Sequence, residues 1–158
     1  MASEAGNPGR WRRLVVLAVL LSGAAASAHA DGPFSLSGLR GDTFSDRDAA
    51  SGTTVVVVWA SWSPRCRDIG ERANALLERW SERAKVVTVN FQEEREVARA
   101  FADQQGLRAP VFLDQDGEFA KAFGVTNLPG LLILRDGRAV FSGRLTPEAD
   151  EIVAERLR

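Results

Sequence analysis

Seven consecutive residues, Thr54-Val-Val-Val-Val-Trp-Ala60, carry no polar side chain after Thr54 and so lack the alternation of a strand with one wet face. A strand of this kind lies inside a sheet covered on both sides. The chain then turns through Ser61-Trp62-Ser63 and meets Pro64, a residue accepted at the first position of a helix, with Ser63 placed to cap the orphan amides. Strand, turn and helix start meet at one point, and that point holds Cys66, the sole cysteine.

Around this centre the pattern alternates strand and helix. Before it, Phe34-Ser-Leu36 and Leu39 to Phe44 read as two short strands about a glycine turn. After it, a helix is expected from Pro64 to about Ala84, because Cys66, Ile69, Ala73, Leu76, Leu77, Trp80 and Ala84 recur at helical spacing. Gly70 inside that helix predicts a bend or a close approach. Lys85–Phe91 reads as a second strand, and 93–105 as a helix with Val97, Ala98 and Phe101 inward and Gly106 ending it. Residues 110–113 give a third strand, Asp114-Gln-Asp-Gly117 a turn rather than a calcium loop, and 118–123 a short helix. Leu131–Leu134 and Ala139–Ser142 flank Asp136-Gly137, a hairpin pair, and residues 147–157 close the chain as a helix. The class is α/β, with a mixed sheet between helical layers.

The N-terminus follows other rules. Arg10, Arg12 and Arg13 precede an apolar run from Leu14 to about Ala28, and Ala28-His29-Ala30 has the form of a processing site. Residues 1–30 are therefore read as a secretory signal peptide and 31–158 as one domain, periplasmic or otherwise exported. Membrane attachment is expected only if that segment stays uncleaved.

Residues 31–158 hold 17 basic and 20 acidic side chains, a balance that argues against nucleic acid as partner. The only His is His29 and the only Met is Met1, and the chain has no Tyr. A Cys–His pair, a Ser–His triad and a soft copper site are thus excluded within residues 31–158, and no metal or other cofactor is expected.

The stretch Trp59-Ala60-Ser61-Trp62-Ser63-Pro64-Arg65-Cys66 resembles W-A-x-W-C-x-x-C, the active-site pattern of the thioredoxin superfamily in its exported TlpA-like and ResA-like branch. The resemblance runs from about Phe34 to the C-terminus and implies a thioredoxin-like three-layer sandwich with an N-terminal β-hairpin. In that family the first cysteine attacks a substrate disulfide and the second resolves the mixed disulfide. Here the first position is Ser63, and only the resolving position, Cys66, keeps a thiol.

By the same resemblance Pro129 is a cis-proline opposite the motif and Leu128 the residue that offers its backbone to an extended peptide. Trp62, Pro64, Leu128 and Pro129 are then expected to form a peptide groove. The branch's usual glutamate and proline after the second cysteine are replaced by Ile69 and Glu71, and the buried acid of classical thioredoxins by Val57. Two functions follow from these departures. One is a protein of the thiol-disulfide oxidoreductase family limited to monothiol chemistry at Cys66, or to binding exported polypeptides or a membrane-bound redox partner. The alternative is a one-cysteine thiol peroxidase, since Ser63-Pro-Arg-Cys66 also resembles the T/S-x-x-C core of peroxiredoxins, although Trp59 stands where that family has proline.

Overall fold

A computed structural model describes residues 33–158, and the signal-peptide reading lies outside the described residues. The chain runs β1 (Ser35–Gly38), β2 (Thr43–Ser45), α1 (Asp46–Ala49), β3 (Thr53–Trp59), a 3-10 turn (Pro64–Cys66), α2 (Ile69–Trp80) and β4 (Lys85–Phe91). It continues through α3 (Arg95–Gln104), β5 (Val111–Asp114), α4 (Glu118–Ala122), β6 (Gly130–Arg135), β7 (Arg138–Arg144) and α5 (Ala149–Arg156). One sheet collects all seven strands in the order β2-β1-β5-β4-β3-β6-β7.

The run of valines explains the centre of that order. β3 pairs in parallel with β4 and antiparallel with β6, so both of its edges are satisfied. Val55, Val57 and Trp59 point to one core with Cys66, Ile69 and Ala73, while Val56 and Val58 point to the other with Phe44, Phe119 and Phe123. All four valines are fully buried. Burial of each contributes roughly 1.5–3 kcal/mol. Helices α2, α3 and α5 cover the first face and α1 and α4 the second, which gives the three-layer sandwich. Among the described residues no helix is long and apolar enough to cross a membrane.

Local chemistry sets the turns. Asp136 and Gly137 both take positive φ, 50° and 77°, as the two-residue turn between β6 and β7 requires. Asp114 ends β5 fully buried and accepts hydrogen bonds from the amides of Phe119 (3.1 Å) and Ala120 (2.9 Å), which fastens α4 to the sheet.

Two sequence expectations are corrected. Residues 64–84 do not form one helix: a 3-10 turn ends at Cys66, and α2 begins at Ile69. Gly70 therefore stands in the first turn of α2, where an added Cβ would lie 2.0 Å from the Gln105 carbonyl oxygen at the end of α3. Close approach, not a bend, is its reason. Val97 is 48% exposed rather than inward, because α3 seats on Ala98 and Ala102, one turn apart, and Val97 falls off that line.

Candidate functional site

The site forms where β3 ends. From Trp59 the chain turns so that the Ser63 amide donates to the Ala60 carbonyl (3.2 Å) and the Cys66 amide donates to the Ser63 carbonyl (3.0 Å). Pro64 opens the 3-10 turn, where its missing N–H leaves no donor unsatisfied. Opposite, the Leu128–Pro129 peptide is cis, as the resemblance implies, and the Pro129 carbonyl accepts the Leu145 amide (3.0 Å).

Exposure divides the motif sharply. Trp62 is 60% exposed, Ser63 only 6%, and Cys66 has no accessible surface at all. Ser63 makes no side-chain capping bond, contrary to the sequence expectation. Burial pushes the Cys66 thiol above its ordinary pKa, and the Asp68 charge adds to that. The Ala60 backbone, the Ser63 hydroxyl and the Arg72 charge pull the other way without prevailing. Apolar burial thus outweighs the neighbouring groups that favour the thiolate.

A groove of about 600 Å³ opens beside this turn, walled by Trp62, Pro64, Phe91, Val125 and Leu128, with Thr126 and Asn127 at its polar side. Among the described residues neither the N–H nor the C=O of Leu128 takes part in a hydrogen bond. Three of the four expected groove residues thus meet here. Pro129 does not: it is buried and borders a second groove of about 750 Å³, and Pro64 lines both.

Glu93 is the site residue that sequence reasoning missed. Its carboxylate accepts the Ser61 amide (2.8 Å), the Ser61 hydroxyl and the Asn90 side-chain amide (2.6 Å). This clamp fixes the loop that presents Trp62. The one signal available was Asn90, a polar amide near the end of a largely apolar strand, three residues before an acid. Behind the clamp, the Asn90 Oδ1 and the Trp59 Nε1 are buried without a partner.

The pattern of the AhpC/TSA family matches residues 28–141. The chain belongs to that family. It is 32% identical over 104 residues to thioredoxin-like protein YneN of Bacillus subtilis, covering 64% of this chain and 61% of that one. It is 30% identical over 84 residues to thiol-disulfide oxidoreductase ResA of Bacillus thuringiensis, covering 52% and 49%. The chain thus spans about half to three-fifths of the length of these curated relatives. Among solved structures, the thiol:disulfide interchange protein DsbE from Chlorobium tepidum superposes with a TM-score of 0.68 at 22% identity, over 83% of this chain and 94% of that one. At that identity the likeness establishes the thioredoxin-like fold. Within this AhpC/TSA family member, however, the motif reads Ser63-Pro64-Arg65-Cys66, with one thiol.

Proposed function

We propose that this AhpC/TSA family member is an exported thioredoxin-like protein that binds extended polypeptides or a membrane-bound redox partner, and does not run a dithiol cycle. One observation carries the reading: the only thiol is wholly buried beneath Ser63, while an open groove beside it keeps an exposed Trp62 and the free backbone of Leu128. Dithiol exchange needs an attacking thiolate and a second thiol to release the partner. A serine hydroxyl with no base beside it replaces neither. Chemistry at Cys66 is limited to one step, which requires the turn to open: its thiolate attacks and bonds one sulfur of a partner disulfide, and the partner's other sulfur leaves as thiolate. Reversal needs an external thiol.

The relatives named above support a place among thiol-disulfide oxidoreductases, and the basic, apolar and Ala-x-Ala order of residues 10–30 supports export. The test is a titration of isotope-labelled protein with a reduced, carboxymethylated unfolded polypeptide. The Trp62 indole and Leu128 amide resonances are expected to shift, and Trp62→Ala to weaken binding about fivefold or more. Unmoved resonances at both positions contradict the reading.

The peroxidase alternative fares worse, because a peroxide must reach the sulfur and Cys66 presents none of its surface. Mass spectrometry after stoichiometric peroxide is expected to find Cys66 unmodified. Rapid sulfenic acid formation would restore that alternative.

A further inference from the structure

The second groove is lined far more heavily by charge than the first, whose one charged residue, Arg65, the two share. Arg65, Arg67, Arg72 and Arg144 line it against a single carboxylate, Asp68. Asp68 is already engaged, 3.7 Å from Arg72, and Arg72 also donates to the Leu145 carbonyl. Arg72 is thereby held in place and only 25% exposed at its side chain, so it is a preorganised guanidinium rather than a solvated one. Among the described residues no carboxylate lies within ion-pair reach of Arg65, Arg67 or Arg144. In a domain with more acidic than basic side chains, this concentration of unpaired positive charge runs against the average.

The two grooves adjoin at Pro64 and Arg65, which line both, and the unpaired backbone of Leu128 borders the apolar one. The floor of the charged groove offers little main-chain pairing, since the Pro129 carbonyl is taken by Leu145 and Pro147 has no N–H. Recognition there falls to side-chain charge. Successive side chains of an extended peptide point to opposite sides. A peptide paired to Leu128 with one set of side chains on Trp62 has its intervening side chains free for the neighbouring arginines.

We propose that the polypeptide segments this protein selects are extended and acidic, alternating apolar residues for the Trp62 groove with Asp or Glu for the arginine groove. This rests on the peptide-binding reading above and adds the class of sequence bound. Nucleic acid is a poorer fit, because one side of the site is apolar and the domain's net charge is negative.

The test compares three short labelled peptides with the same apolar residues and Glu, Gln or Lys at the alternate positions, followed by fluorescence anisotropy and Trp62 emission at low and high sodium chloride. The Glu peptide is expected to bind about tenfold tighter than the Gln peptide at low salt, with the gap closing at high salt. Among the described residues the Arg65 and Arg67 side chains make no hydrogen bond or ion pair, so R65E/R67E should keep the fold, checked by circular dichroism, and lose the Glu preference. Equal, salt-independent binding of Glu and Gln peptides, lost in W62A, overturns the acidic selection while leaving the groove reading intact. Binding of none of the three overturns both. Full displacement of the Glu peptide by inorganic sulfate at equal concentration overturns the inference in favour of a free-anion site.

Discussion

Cys66 reaches no solvent, and the groups that would favour its thiolate are outweighed by the cost of burying the charge. Its reaction with a thiol-directed alkylator at neutral pH is therefore expected to be slower than that of the guanidinium-unfolded chain by about a hundredfold or more, because the reactive thiolate is both scarce and covered. Comparable rates would show that the site opens freely. The same shift has a consequence for stability. The folded state holds the thiol proton to higher pH than the unfolded chain does. The associated stability is fully present below the unfolded chain's thiol pKa and is lost as pH rises through the higher folded one. Denaturant titrations should show a decline at alkaline pH that is reduced in Cys66→Ala. Glu93 makes the other residue-scale prediction. Glu93→Ala removes three accepted hydrogen bonds from the loop carrying Trp62, so a loss of about 1–3 kcal/mol is expected, together with a change in Trp62 emission. An unchanged emission spectrum would mean that the clamp does not position Trp62.

At the scale of elements, the contact between α2 and the end of α3 is set by one missing side chain. A Cβ at Gly70 would meet backbone, which cannot rotate away, so Gly70→Ala should cost roughly 1–3 kcal/mol despite alanine's better helix propensity. A stabilised variant would refute the close approach. Strand positions were legible because the signal is local: the unbroken apolar run of β3, Lys85–Phe91 and the Asp136-Gly137 turn each carry their own pattern. The break between Cys66 and Ile69 was not, since a 3-10 turn and an α-helix both place residues three apart on one side, and the periodicity is blind to the difference. Val97 misled for a related reason, lying one position from the seam that Ala98 and Ala102 define. The Glu93 clamp reaches 32 residues back to Ser61, a contact that no local pattern contains.

At the scale of the whole molecule, the fold brings two sequence-distant loops together at the ends of β3 and β6, and this is where the resemblance had placed Ser63, Cys66, Leu128 and Pro129. The scaffold, the cis peptide and the apolar groove are all in place around a motif with one thiol, and that one is buried. Division into an apolar and an arginine-lined groove was not legible in the sequence, because Arg144 joins Arg65, Arg67 and Arg72 only through the sheet. The account rests on the separation of binding from dithiol chemistry. Insulin reduction driven by dithiothreitol measures that separation directly, with the wild-type chain and Ser63→Cys assayed side by side. The wild type should proceed at the uncatalysed rate and Ser63→Cys well above it, whereas wild-type turnover approaching that of a two-cysteine thioredoxin would contradict the account.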